Sequence, residues 1–337
     1  MKSDIGTTGI WQDIIGLSGA LKSALSERTG WDELVLRLRQ PGVRRIVVTG
    51  NGASHYAGLA MWLASLRRRA STELVCVSSG LLARGTFNWA DGDVLLAVST
   101  SGEFRDLIEV ASKAGPRVPF YLVTAHRDSS LGRRAAAIAS FALPANRAVT
   151  HTQDFCCAAL TLLALWGQFT NDGDLIEAIE AAPQHCEASV RAAEDWADEA
   201  FEQLTLPTAA IVFGNGPAWA AAMESALLIK EVAQIPCEGL ETREGATSAM
   251  TALGPDVLVL SLPTPADPFI DEAEAICRST GAPLLRAAVE PGVDARLAAI
   301  TCFPSAAALA IELALRKGCN PDNPSWVERY YLTARGT

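Results

Sequence analysis

Short apolar runs rich in β-branched residues alternate along this chain with longer stretches of helical spacing. RIVVTG (45–50), LVCVSS (74–79), VLLAVS (94–99), AAIVFG (209–214) and VLVLSL (257–262) are apolar almost throughout. A strand with one wet face would alternate; continuous runs suit a parallel sheet covered on both faces. Helical stretches such as GLAMWLASLRRR and EFRDLIEVASKAG separate the runs. Strands alternating with helices predict an α/β fold, a doubly wound parallel sandwich. Strands are expected near Ile46–Thr49, Val94–Ser99, Ala210–Phe213 and Val257–Ser261.

The pattern occurs twice. Residues 45–69 and 209–233 both read as strand, G-N-G turn and long helix, with the turns at Gly50–Gly52 and Gly214–Gly216, an offset of 164. DVLLAVSTSGEF from Asp93 matches DVLVLSLPTPAD from Asp256 at an offset of 163. Two matches at nearly one offset predict two flavodoxin-like copies related by a pseudo-twofold axis. The expected division is a helical N-terminal segment at 1–30, copies at 31–167 and 201–319, a charged helical connector at 168–200, and a tail at 320–337.

A glycine-rich turn between strand and helix exposes backbone N–H groups to an anion, typically phosphate. No G-x-x-x-x-G-K-[ST] occurs, which excludes a nucleoside-triphosphate loop. The dinucleotide fingerprint also fails: His55 stands at its third glycine, and Glu73 precedes a strand instead of ending one. In AVSTSGEF (97–104), Ser99, Thr100 and Ser101 follow an apolar strand, at the edge where open α/β sheets bind ligands. They could be helix caps. One hydroxyl would serve that purpose; three, with Ser54 in the neighbouring turn, suit a phosphate monoester.

Composition narrows the classes. The 337 residues are 49% hydrophobic and carry a formal charge of −10, so a large core is possible and a nucleic-acid or membrane-surface partner is not expected. Eight cysteines without a C-x-x-C, beside four histidines, give no support for a metal site. Free thiols in a reducing cytoplasm are expected. No signal core and no apolar run of membrane-spanning length are read from the chain. No cofactor is expected.

At these residues the sequence resembles the sugar isomerase (SIS) domain proteins. It is similar to the tandem class that includes the isomerase half of glucosamine-6-phosphate synthase, sugar-phosphate deaminases and fructosamine-type deglycases. The resemblance spans about residues 31–337. The family's G-x-[ST]-S turn corresponds to Gly52-Ala53-Ser54, and its S-x-S-G-x-[ST] turn to Ser99 through Phe104. The resemblance therefore implies Gly52, Ser54, Ser99, Thr100 and Ser101 as phosphate ligands, with Glu103 beside the substrate. Phe104 stands where a hydroxyl is usual. NPDNP (320–324) is similar to the family's C-terminal segment.

Aldose–ketose isomerisation needs a carboxylate to carry a proton between adjacent carbons. The resemblance places it at Glu231 in ESALLIKEVAQ, with Glu224 seven residues earlier on the same helical face. An exposed Glu/Lys helix surface is the plain alternative. The family's histidine and C-terminal lysine are replaced by Thr247 and Arg329. His151, with Thr152 and Gln153 in AVTHTQDF, falls in a segment that lines the sugar pocket in the family. His55, next to Ser54, is expected to be protonated and to bind phosphate. In LETREGATSAM, Glu244 could act as a substitute acid or base and Arg243 could anchor the substrate; a surface ion pair is the alternative. Glu231 and the phosphate turns are expected to share one site. The function implied is a phosphosugar isomerase, deaminase or deglycase acting through an enediol or enolamine. A non-catalytic phosphosugar sensor is the alternative. The resemblance also implies a homodimer.

Overall fold

The computed structural model describes residues 5–67, 70–85, 87–150 and 152–335. Its strands form two separate sheets, both wholly parallel: β2-β1-β3-β4-β5 and β7-β6-β8-β9. The strands are β1 (Arg45–Gly50), β2 (Glu73–Ser78), β3 (Asp93–Val98), β4 (Phe120–Thr124), β5 (Ala137–Ser140), β6 (Ala209–Gly214), β7 (Cys237–Glu241), β8 (Val257–Ser261) and β9 (Leu284–Arg286). The four strands placed from the apolar runs are all present, within one residue at either end. Helices used below are α1 (Gly9–Ile15), α2 (Ala53–Ser65), α3 (Arg105–Lys113), α4 (Gly173–Ala200), α5 (Pro217–Leu228), α6 (Thr242–Thr247), α7 (Phe303–Lys317) and α8 (Val327–Arg335).

The five-stranded unit comprises Gly19–Pro144, Asp154–Glu180 and the chain from Trp326 onward. Val47, Leu95, Ala97, Leu107, Val110 and Leu122 build part of its core, joining β1, β3 and β4 to α3. The strand order 2-1-3-4-5 is the flavodoxin-like arrangement, in which connections leave β1 and β3 toward opposite faces. A crevice therefore opens beyond the carboxyl ends of β1 and β3. α8, an element not foreseen in the tail, packs against α3 within this unit.

The four-stranded unit comprises the chain up to Ser18, Ala145–Gln153 and Ala181–Ser325. Ile211, Phe213, Val259, Ile270 and Ala273 form part of its core. α5 passes directly into a single π turn (Ile229–Ala233) that ends at Gln234, whose φ is 52°. From Phe303 to Ala314 every residue of α7 is buried. The helical stretch Ala295–Lys317 is, by length and composition, long and apolar enough to cross a membrane, which corrects the sequence expectation; from Leu297 to Ala314 it is buried in protein, as an apolar core helix is.

Each compact unit draws on three stretches of the chain. The connector forms the 28-residue α4, and its residues up to Glu180 belong to one unit and those from Ala181 to the other. α1 belongs to the four-stranded unit because its ends are tied there. The Asp322 carboxylate accepts the N–H groups of Gly9 and Ile10, both at 2.8 Å. The buried Asp13 carboxylate accepts those of Arg147 (2.9 Å) and Ala148 (3.0 Å).

Candidate functional site

In the five-stranded unit the β1–α2 turn is shaped by two glycines. A Cβ on Gly50 would lie 2.6 Å from the Ser54 carbonyl carbon and 2.7 Å from the His55 nitrogen, so only hydrogen fits there. Gly52 adopts φ 50°, ψ −129°, a conformation glycine tolerates and L residues avoid. The turn then enters α2, whose first N–H groups project from its N-terminus at the β1 end.

The β3–α3 loop is folded by its own hydroxyls. Ser99, buried at 4% exposure, accepts the Gly102 N–H through Oγ at 3.1 Å. Ser101 Oγ accepts the Glu103 N–H at 3.3 Å. The Thr100 carbonyl accepts the Ala125 N–H (3.2 Å) and the Thr124 hydroxyl (3.0 Å). α3 starts later than the helical run suggests, at Arg105, with Phe104 as its N-cap and no side-chain cap. The hydroxyls therefore shape the loop and do not cap the helix. The Ser99 and Ser101 hydroxyls each accept one amide and keep their own proton to donate. Backbone N–H groups and hydroxyls together offer neutral donors at the switch point, the type of surface an anion takes without a guanidinium.

Burial lowers the pKa of His55 and disfavours the charged ring. Its Nδ1 lies 3.6 Å from the Cys76 thiol, itself pushed up to about 12 by burial. Glu103 accepts the Ser130 N–H at 2.8 Å, so its carboxylate holds the neighbouring loop.

The four-stranded unit builds the same turn with different chemistry. Gly216 adopts φ 56°, ψ −138°, and Ala218 N–H reaches Asn215 O at 3.2 Å, as Ser54 N–H reaches Asn51 O at 3.2 Å. Here, however, Pro217 opens the helix and removes a donor. The Asn215 amide donates to Glu241 at 2.7 Å, and Glu241 also accepts the N–H groups of Arg243 (2.8 Å) and Glu244 (3.4 Å). A carboxylate of the chain itself thus caps α6. Arg243 lies on the surface, 3.4 Å from Glu272 and 4.8 Å above the Phe269 ring. Glu244 is exposed in the first turn of α6. Thr247 is exposed, and its hydroxyl donates to the Arg243 carbonyl at 2.7 Å.

Glu231 stands, half-buried, inside the π turn. Glu224 is buried at 3% exposure, and the α periodicity that would align the two ends at Leu228. Single π turns often mark functional positions; this one has no signature in the sequence. His151 lies outside the described residues. Its neighbours Thr150, Thr152 and Gln153 are buried, and Thr150 Oγ1, Thr152 Oγ1 and Gln153 Oε1 find no hydrogen-bond partner among the described residues. Buried polar oxygens in that state call for a partner. Sequence reasoning missed Asp13, which holds this segment: besides its carboxylate bonds, its carbonyl accepts the Gln153 amide at 2.7 Å. NPDNP is a tie of the same kind, with Asn320 Oδ1 accepting the N–H groups of Asp322 (3.0 Å) and Asn323 (3.3 Å). Arg329 is exposed on α8. No cluster of three or more potential metal ligands occurs among the described residues.

No protein-family model matches the chain. Over 225 residues, 66% of its length, it is 27% identical to a glutamine–fructose-6-phosphate aminotransferase (isomerizing) of Sulfolobus acidocaldarius; the match spans 36% of that relative. It spans about half of three further such relatives. The C-terminal domain of the glucosamine-fructose-6-phosphate aminotransferase of Francisella tularensis superposes with a TM-score of 0.77 at 17% identity, covering 94% of this chain and 98% of that one. Glucosamine-6-phosphate deaminase of Thermotoga maritima gives a TM-score of 0.74 at 17% identity, covering 94% and 98%. These superpositions show that the chain has the fold of the SIS phosphosugar isomerases.

Proposed function

We propose that this chain is a phosphosugar enzyme, an isomerase, deaminase or deglycase, that holds the substrate phosphate in the crevice of the five-stranded unit. The hydroxyl-built loop Ser99–Gly102 beside the glycine turn Gly50–Ser54 carries this reading. In the proposed chemistry Glu231 takes a proton from the carbon next to the carbonyl of an open-chain sugar. It returns that proton to the neighbouring carbon, giving the isomer through an enediol. With an amine at that carbon the same step gives an enolamine, and hydrolysis releases the amine. Thr150, Thr152 and Gln153 are suited to sugar hydroxyls by their buried oxygens, with His151 between them.

The division into two SIS copies, at 31–167 and 201–319, belongs to the same proposal. Matching strand order and matching glycine conformations at Gly52 and Gly216 support it. Only the first copy takes phosphate in this reading, since Pro217 and the Glu241 carboxylate occupy the corresponding turns of the second. A homodimer in the cytoplasm is the proposed setting.

A sensor without turnover is the second reading. Thr247 favours it, because its hydroxyl is bound to a carbonyl and cannot replace the proton transfer of a histidine. Calorimetry and NMR turnover assays with fructose 6-phosphate, glucosamine 6-phosphate and tagatose 6-phosphate separate the two, with the unphosphorylated sugars as controls. Binding that requires the phosphate is expected. Glu231→Gln should retain that binding and lose on the order of 10²-fold or more in rate. Binding without turnover selects the sensor; no phosphate-dependent binding overturns both readings.

A further inference from the structure

The π turn that contains Glu231 is held from outside the helix. Wide turns of this kind are rare and persist where their surroundings fix them. Gln234 closes the turn in the left-handed region at φ 52°, ψ 40°, leaving the helix's last carbonyls to find donors elsewhere. The donors come from the end of α7, which packs against the turn. Lys317 Nζ donates to the Gln234 carbonyl at 2.6 Å, and Cys319 Sγ to the Ala233 carbonyl at 3.8 Å. The Gln234 side chain reaches Ser325 Oγ at 3.5 Å. Gly318, at φ 77°, ends α7 between the first two donors. Two helix C-termini, each carrying partial negative charge, thus meet at one ammonium group.

We propose that Lys317 is a positioning residue: it caps the π turn and thereby fixes the direction in which Glu231 presents its carboxylate. This rests on the reading of Glu231 as the proton-transferring group. The rest of the tie does not replace the lysine. A thiol is a weak donor, and the Gln234–Ser325 contact is long and exposed. Arginine could reach the same carbonyl and keep the charge; methionine could do neither.

The test uses the whole chain and the variants Lys317→Met and Lys317→Arg. Hydrogen–deuterium exchange is read on peptides covering residues 229–235, and steady-state kinetics on the sugar phosphate the wild type turns over. In Lys317→Met, exchange should quicken about fivefold, the worth of one ordinary intramolecular hydrogen bond, since this one is exposed to solvent. kcat should fall about tenfold with KM unchanged, since misplacement of a reacting group penalises the chemical step. Lys317→Arg should restore both. A purely structural role would lower the melting temperature and leave the kcat/KM split unmoved. Unchanged exchange in Lys317→Met overturns the proposal whether or not turnover is found. Faster exchange with unchanged kcat overturns the positioning role. Faster exchange in a protein that turns over no sugar phosphate refutes the enzyme reading and the positioning role together, and leaves Lys317 as a cap only.

Discussion

Replacing Ser99 by alanine separates a ligand group from a loop brace. The Ser99 hydroxyl is buried and accepts the N–H of Gly102, itself buried at φ 67°. Its loss leaves a buried amide without that acceptor, which costs about 1–3 kcal/mol. For a unit of roughly 150–250 residues, the size of the one that holds Ser99, each kcal/mol lowers the melting temperature by roughly 2–4 °C, so a fall of about 2–12 °C is expected. Ser101 is half-buried and holds its amide at a longer 3.3 Å, so Ser101→Ala should cost less than about 1 kcal/mol. Binding should weaken in both. One charge-assisted hydrogen bond to a phosphate contributes about 1.5–3 kcal/mol, or roughly 10- to 150-fold in Kd. Calorimetry with a hexose 6-phosphate, beside thermal denaturation of the same samples, gives both quantities. The double variant should bind weakly or not at all. If Ser99→Ala melts early while its Kd stays within about twofold of the wild type, the hydroxyls brace the loop and the phosphate assignment is refuted.

Gly52→Ala forces a side chain into φ 50°, costing about 1–3 kcal/mol, and should weaken sugar-phosphate affinity; Gly216→Ala, at φ 56°, should cost similar stability and leave affinity unchanged, as paired melting and binding curves would show. Asp13→Ala removes the acceptor of two backbone N–H groups and should cost about 2–5 kcal/mol by urea denaturation. Burial raises the Asp13 pKa, against the pull of its bonds to Ala148 and Arg147, while Asp322 adds to the rise. The folded state therefore binds this proton more tightly than the unfolded chain. The Asp13 contribution makes stability fall as pH rises from the ordinary carboxylate range through the raised value, and Asp13→Asn should abolish that slope in a pH series of melts.

The sheets were legible because burial on both faces writes unbroken apolar runs such as VLLAV and VLVLS, and few other structures demand them. The ligand-facing turns were legible for a related reason: Gly50 and Gly52 answer local backbone demands that travel with the sequence. What failed to read was long-range. Nothing around Asp13 announces that the N–H donors to its carboxylate lie at Arg147 and Ala148. The π turn is set by donors from Lys317 and Cys319, so the segment ESALLIKEVAQ scans as an ordinary helix. The burial that lowers the pKa of His55 is not visible in the sequence either. Glu241 stood in a segment read for its chemistry and proved to be a helix cap, one whose partners Asn215 and Arg243 come from two elements.

The bond from Asp322 to the start of α1 spans 313 residues of chain, and its neighbour 312. During synthesis at roughly 5–20 residues per second, the first helix emerges about 15–60 s before the carboxylate that secures it exists. Through that interval α1, a seven-residue helix too short to be stable by itself, exposes its apolar residues Ile10, Trp11 and Ile14 to whatever else is in solution. The five-stranded sheet, by contrast, has all its strands by Ser140 and can assemble meanwhile. The tie at the start of α1 is thus made late, after the bonds of Asp13 to Arg147 and Ala148 and after the five-stranded sheet is complete.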